Sequence, residues 1–182
     1  MTLHVMSQEH YKFVVDCHKW GGASEMQARQ EAQQLLELAL AFPDPLFFVG
    51  PSAEAPRYYM GVYLDVTNRA YLQVGTTGFI ASEMYKDVID WLSYLFDTLG
   101  IKLIEANVWV EDLQKEWFMR AVGFKKAGVI PDKLDIPGKG SVTALCMYLR
   151  PQEFSQVTRE SFHAIIKKYQ AHRKRLRDER VS

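Results

Sequence analysis

The stretch from Ala70 to Phe124 constrains the fold more than any other. It reads AYLQVGTTGFIASEMYKDVIDWLSYLFDTLGIKLIEANVWVEDLQKEWFMRAVGF. Ala70 to Val74 alternates and follows a turn, which predicts a strand. Val88, Leu92, Leu95 and Phe96 recur at helical spacing, and Trp91 and Leu99 widen the stripe. Gly100 stands just past the last helical residue, where a left-handed cap is expected. Ile101 to Val110 predicts a second strand, and a short helix with a Gly-Phe turn at Gly123-Phe124 closes the stretch. Strand, crossover helix and strand make a βαβ unit, so the two strands should run parallel. The loop from Gly75 to Ala81 then lies at a strand's carboxyl end and a helix's amino end. Open α/β sheets bind anionic ligands there, because the first amides of the helix are unpaired and point outward.

Around this unit the chain reads in order. Leu3 to Met6 predicts a short strand, and Ser7 opens a helix whose Tyr11, Val14, Val15 and Cys17 share a face to about Trp20. Gly21-Gly22 breaks it. Ser24 with Gln27 forms a capping box for a helix running to Leu40, stopped by Pro43 and Pro45. Leu46 to Val49 predicts a buried strand. Arg57 to Val66 predicts a long one, turned back by a hairpin at Thr67-Asn68-Arg69. The full order is β, α, α, β, β, β, α, β, α, β, β.

Several classes are excluded at this point. The 182 residues suit about one domain, and 48% apolar content is enough for a sizeable core. A formal net charge of zero gives no global field towards nucleic acid or membrane. Cys17 and Cys146 are too far apart for a metal motif and read as reduced thiols in a cytoplasmic protein. The start, MTLHVMSQEHYK, lacks the apolar core of a signal peptide, and no apolar run approaches membrane-spanning length. His4, His10 and His18 fall near Cys17 in the chain. Zinc needs three or four convergent ligands, and nothing else supplies them, so these read as surface or half-buried histidines.

GIKLIEANVWVED, FMRAVGFKKAGV and the closing GKGSVTALCMYL, in that order and spacing, resemble the GNAT superfamily of acetyl-CoA-dependent N-acetyltransferases. The branch with the nearest pattern is that of the ribosomal-protein N-terminal acetyltransferases. The resemblance covers roughly residues 57 to 150; the first part is similar in its order of elements. It implies an α/β (α+β) fold with a mixed, mostly antiparallel, splayed sheet flanked by helices. It also implies that the pantetheine arm of acetyl-CoA lies in the gap between the fourth and fifth strands. Residues 1–150 would form this domain, and 151–182 a C-terminal extension.

The phosphate loop departs from the family pattern, which is Arg or Gln, two residues, Gly, one residue, then Gly or Ala. An ungapped count back from GIKLIEANV puts the two small positions at Ile80 and Ser82, and the leading basic residue is missing. A one-gap alternative uses Gly75 and Gly78, with Ala81 last. Glycine matters because the backbone must approach a pyrophosphate with its amides forward. Thr76, Thr77 and Ser82 offer hydroxyls, though Ser82 also suits a helix cap. The cofactor-binding candidates are Val74, Gly75, Thr76, Thr77, Gly78, Phe79, Ile80, Ala81 and Ser82, with Asn107 and Asp112 beyond the helix.

The catalytic positions depart as well. An amine must be neutral to attack a thioester, and a carboxylate, directly or through water, can take its proton. The family's glutamate on the strand after the long helix matches Asn107, and Glu105 lies on the same face two residues earlier. The asparagine at the next helix matches Asp112. The tyrosine that protonates the leaving thiolate matches Met119, so the usual acid is absent. Glu105 and Asp65 are the candidate bases. Strand alternation sets Tyr59, Gly61, Tyr63 and Asp65 on one face that could wall an acceptor pocket.

Past Pro151, Phe162, Ile165, Ile166, Tyr169 and Leu176 make a helical stripe with Thr158 as its cap. Lys167 to Arg180 holds seven Lys or Arg and two acidic residues. That suits a solvated face, or a contact with nucleic acid or the ribosome.

Three functions stay open: acetyl transfer from acetyl-CoA to a primary amine by direct attack; a GNAT-fold binding or assembly protein whose site has lapsed; and a nucleic-acid-associated module using the basic helix. The expected partners are an amine acceptor and a second copy of the chain, with no membrane. Gly78→Val should crowd the approach of a pyrophosphate. Losing a few charge-assisted amide bonds of roughly 1.5–3 kcal/mol each should weaken acetyl-CoA binding at least tenfold by calorimetry, with the circular dichroism spectrum unchanged.

Overall fold

The computed structural model describes residues 3–42, 44–65, 69–77, 84–136 and 139–179. In chain order the elements are β1 (His4–Val5), a 3-10 turn (Gln8–His10), α1 (Tyr11–Trp20), α2 (Glu25–Ala41), β2 (Phe47–Gly50), β3 (Tyr58–Leu64) and β4 (Arg69–Thr76). Then come α3 (Tyr85–Ser93), a π turn (Tyr94–Thr98), β5 (Leu103–Trp109), α4 (Leu113–Ala121), β6 (Lys125–Ile136), β7 (Gly140–Leu149), α5 (Pro151–Phe154) and α6 (Arg159–Glu179). The expected order of strands and helices is present, with α5 and α6 added at the end. The hairpin turn expected at 67–69 begins outside the described residues.

All seven strands join one sheet in the order β1-β2-β3-β4-β5-β7-β6. Every neighbouring pair is antiparallel except β4 and β5, which run parallel. That one parallel pair is what the crossover helix α3 requires. This is the mixed, mostly antiparallel sheet of the GNAT fold. β4 pairs with β3 at seven positions and β5 with β7 at six, but β4 and β5 pair at three: Arg69 with Leu103, Ala70 with Ile104, Tyr71 with Glu105. Beyond Tyr71 and Glu105 the two strands part, which is the expected splay.

Alternation sorts the side chains onto two layers. Met60, Leu72 and Val74 face α3 and α4, and a cavity of about 10 Å³ there has room for one water. Phe47, Tyr59 and Tyr63 face the other way. Phe47 meets Tyr63 edge-on at 5.4 Å, and α1 lies over them, with His18 6.3 Å from the Tyr59 ring. Tyr59 is 2% exposed, so this part of the face proposed as an acceptor wall is core.

Local signals account for the helix ends. Ser24 accepts from the Gln27 amide at 3.3 Å, and Thr158 accepts from the Ser161 amide at 3.1 Å, as caps should. Gly100 takes φ +66°, the left-handed turn anticipated for it. The π turn before it was not anticipated. It draws the Leu99 amide back to the Tyr94 carbonyl at 3.1 Å and keeps Leu95 and Phe96 buried.

α3 is fastened to the sheet by a buried polar contact. Tyr58 donates its hydroxyl to Asp87 Oδ2 at 2.5 Å, and both residues are within 2% of full burial. A buried carboxylate is costly unless hydrogen-bonded. Tyr58→Phe should therefore lower stability by about 1–3 kcal/mol in urea denaturation, with the larger part of the loss falling on the attachment of α3.

Candidate active site

The parting of β4 and β5 defines a cleft whose closed end is the Tyr71–Glu105 position. Past it, Leu72 to Thr76 of β4 have no strand partner on their β5 side, and their peptide groups on that side face the cleft. An extended ligand carrying amides, such as a pantetheine arm, can pair with such an edge as an added strand would. The start of α3 stands at the open end. The residues here fit the outline of a coenzyme A site, with the backbone as the main binder.

Individual candidates fall unevenly. Val74, Gly75 and Thr76 line the β4 edge and are half-buried, and Thr77 is exposed. The Thr76 hydroxyl donates to the Arg57 carbonyl at 3.2 Å, and the Thr77 amide reaches the same oxygen at 3.4 Å. Those two donors fasten β4 to the segment before β3. Gly75 has its own reason to lack a side chain: an added Cβ would lie 2.1 Å from the Tyr59 ring. Gly78, Phe79, Ile80, Ala81 and Ser82 lie outside the described residues.

On β5, Glu105, Asn107 and Trp109 share the face turned towards the α1 side. Glu105 is half-buried at the closed end of the cleft, between Tyr71 of β4 and Tyr148 of β7. Asn107 is exposed one step further out. Trp109 ends the strand with the Lys139 ammonium 3.7 Å from its ring centroid. Asp112 caps α4 by accepting from the Lys115 amide at 3.0 Å. Met119 is 3% exposed and packs in the core, so no phenol stands at that position.

Asp65 lies elsewhere. β3 runs against β4, so its last residues meet the start of β4, at the end of the sheet away from the cleft mouth. There Asp65 accepts from the Arg69 amide at 3.1 Å and donates its own amide to the Arg69 carbonyl at 2.9 Å. The structure brings Glu105 and Asn107 to the cleft and ties Asp65 into the far turn.

One ionisable pair escaped the sequence reading. His18 Nδ1 of α1 meets Glu31 Oε2 of α2 at 2.7 Å, while His18 Nε2 is buried without a hydrogen-bond partner. Tyr59 packs against the ring, and the Lys115 charge acts on it from α4. Burial holds the imidazole below its ordinary 6.5, opposed by the Glu31 carboxylate and assisted by Lys115. Beside it, burial and then Asp16 push the Cys17 thiol up to about 12, which keeps it protonated and unreactive. Cys146 is half-buried on β7 opposite Asn107, a strand away from the cleft. Among the described residues no cluster of His, Cys, Asp or Glu could hold a metal ion, and no helix is long and apolar enough to cross a membrane.

With this geometry in hand, solved structures share the fold. No family model matches the chain, and no curated protein matches it. A spermidine N-acetyltransferase from Vibrio cholerae in complex with CoA and spermine is similar at 16% identity, over 85% of this chain and 97% of that one, with a TM-score of 0.66. Mycobacterium smegmatis RimJ in complex with CoA-disulfide is similar at 14% identity, over 89% and 87%, with a TM-score of 0.66. A ribosomal-protein-S5-alanine acetyltransferase from Vibrio fischeri is similar at 13% identity, over 84% and 93%, with a TM-score of 0.62. The chain shares the GNAT fold with these structures over 84–89% of its length. Its structural neighbours come from both the polyamine and the ribosomal-protein acetyltransferases.

The His18 pair has a measurable signature. An imidazole whose folded pKa is depressed adds stability that is fully present above its unfolded pKa and is lost as pH falls through the folded one. The melting temperature should therefore fall as pH drops below the ordinary imidazole value of about 6.5. His18→Gln should flatten that fall, and Glu31→Gln, which removes the opposing carboxylate, should steepen it.

Proposed function

We propose that the protein is an N-acetyltransferase that moves acetyl from acetyl-CoA to a primary amine by direct attack. The observation that carries this reading is the cleft opened where β4 and β5 stop pairing after Tyr71 and Glu105. It offers an unpaired strand edge for an amide-bearing arm, a helix amino end for phosphates and a carboxylate at the closed end. Bound acetyl-CoA would supply a thioester carbonyl carbon. The β4 edge holds the arm extended and orients that carbon towards the closed end.

Glu105 takes a proton from the incoming ammonium, directly or through a water, so that the nitrogen lone pair is free to attack. The C–N bond forms as the C–S bond breaks, the thiolate leaves with the electron pair of the C–S bond, and the nitrogen gives up its second proton to water in the open cleft. Met119 cannot protonate the thiolate. The proton comes instead from solvent at the open cleft. Cys17 is buried and protonated, and Cys146 lies across β5, so neither thiol carries the acetyl group in this scheme. The acceptor approaches from the α1 side, past Asn107 and Trp109. The Lys139 ammonium already seated on Trp109 marks that ring as a cation-binding face.

A second reading is kept by one observation. The acid position is a buried methionine, as in a GNAT-fold binding protein whose chemistry has lapsed. Calorimetry and turnover separate the two. Under the enzyme reading the chain binds acetyl-CoA and acetylates amines from a panel of polyamines and peptides, detected by mass spectrometry. Glu105→Gln should then lower kcat by roughly 10²–10⁴ with unchanged acetyl-CoA affinity. Binding without turnover on any primary amine would favour the lapsed site, and full activity in Glu105→Gln would remove it as the base.

A further inference from the structure

The end of β4 and the start of α3 are both fastened to one corner of the fold, Arg57–Tyr58. On the β4 side, the Thr76 hydroxyl and the Thr77 amide donate to the Arg57 carbonyl, at 3.2 and 3.4 Å. Thr76 also stands opposite Tyr58 in the β3–β4 ladder. On the α3 side, the Tyr58 hydroxyl donates to Asp87 Oδ2 at 2.5 Å. Asp87 lies in the first turn of α3. One dipeptide therefore sets the end of a strand and the start of a helix against each other.

The end of β4 has little else to hold it. Past Tyr71 it has β3 on one side and the cleft on the other, so its position follows β3. The start of α3 rests on an apolar layer, where Met84 and Val88 line the small cavity with Met60 and Val74. Apolar contact of that kind is non-directional. A hydrogen bond between buried groups has a narrow working distance and angle. Tyr58 is 1% exposed and Asp87 2%. β2 leaves room for the Tyr58 ring at Gly50, where an added Cβ would lie 2.7 Å from Cε2 and 2.8 Å from the hydroxyl oxygen.

Burial alone does not call for a phenol and a carboxylate here. An apolar pair of similar size would fill the same space without desolvating a carboxylate. What the polar pair adds is register, a fixed height of α3 over the end of β4. A ligand with an arm along the β4 edge and phosphates at the helix amino end spans both elements. It binds best when they are already in register.

We propose that Tyr58 is a positioning residue for coenzyme binding: acting through Asp87, it holds α3 and the end of β4 in the one arrangement that takes acetyl-CoA. This rests on the acetyl-CoA reading above. Without the bond that arrangement is populated only in part, and apparent affinity falls by the same fraction.

The test combines calorimetry with coenzyme A and steady-state kinetics with acetyl-CoA, on the full chain well below its melting temperature. Tyr58→Phe should weaken coenzyme A binding about tenfold and raise KM for acetyl-CoA with it. Its kcat at saturating acetyl-CoA and its KM for the amine should stay as in the unaltered protein. In an Asp87→Ala background, Tyr58→Phe should add no further loss, because the bond is already gone. Leu36→Ala, at a buried position of α2, should lower the melting temperature and leave coenzyme A affinity unchanged. Should Tyr58→Phe fail to fold, Gly50→Ala, which crowds the same hydroxyl, carries the same expectation. Unaltered coenzyme A affinity in the folded variant, losses that add in the double variant, or an equal loss in Leu36→Ala overturn the proposal and leave the acetyl-CoA reading intact. Failure of the unaltered protein to bind coenzyme A at all overturns that reading, and this inference with it.

Discussion

The molecule depends on how little β4 and β5 share. Three parallel pairs join one half of the sheet, β1 to β4, to the other half, β5 to β7. Each half is internally well paired, and right-handed twist accumulates across both. The short parallel seam lets them diverge. α3 spans the seam, and the buried Tyr58–Asp87 bond ties it to the first half. Leu95 and Ile101, whose carbonyl and amide meet at 3.1 Å, carry the chain from the π turn into the second half. The cleft is a product of backbone topology, which explains why it persists where the usual side chains have changed.

That distinction sets what could be read from the chain alone. The parallel pair followed from strand, helix, strand, because a crossover that long leaves no other common arrangement. Gly100 and the Ser24 and Thr158 caps followed from local chemistry. The length of the seam did not, since it is decided by which partner holds each strand along the rest of its course. Asp65 shows the same boundary. Alternation carries the strand through it, but β3 ends at Leu64 and Asp65 falls in the Arg69 turn, which follows only once the antiparallel partner is drawn. Thr76 looked like a phosphate donor by type, yet the Arg57 carbonyl uses its hydroxyl. Gly75 looked like a loop glycine, yet the Tyr59 ring requires it. His18 and Glu31 come from two helices whose hairpin angle no periodicity encodes.

The site's electrostatics divide by layer. On the α1 side sit the acid–base groups, Glu105 at the closed end and the His18–Glu31 pair near Tyr59. On the α3 side sits an apolar layer around Met60, Leu72 and Val74.

The margins of the sheet have their own consequence. An open sheet presents unpaired peptide groups at each outer strand, and a long straight margin invites another chain to extend it. Here β1 is two residues long. β6 is long, with Val129 and Ile130 exposed, but its register with β7 shifts at Lys126/Gly128 and again at Ile130/Leu134, and Asp132 turns left-handed at φ 51°. Lys125, Lys126 and Lys133 are exposed along it. Such bulges and lysines bend and charge the border, so runaway strand addition between molecules has no regular template at either end of this sheet.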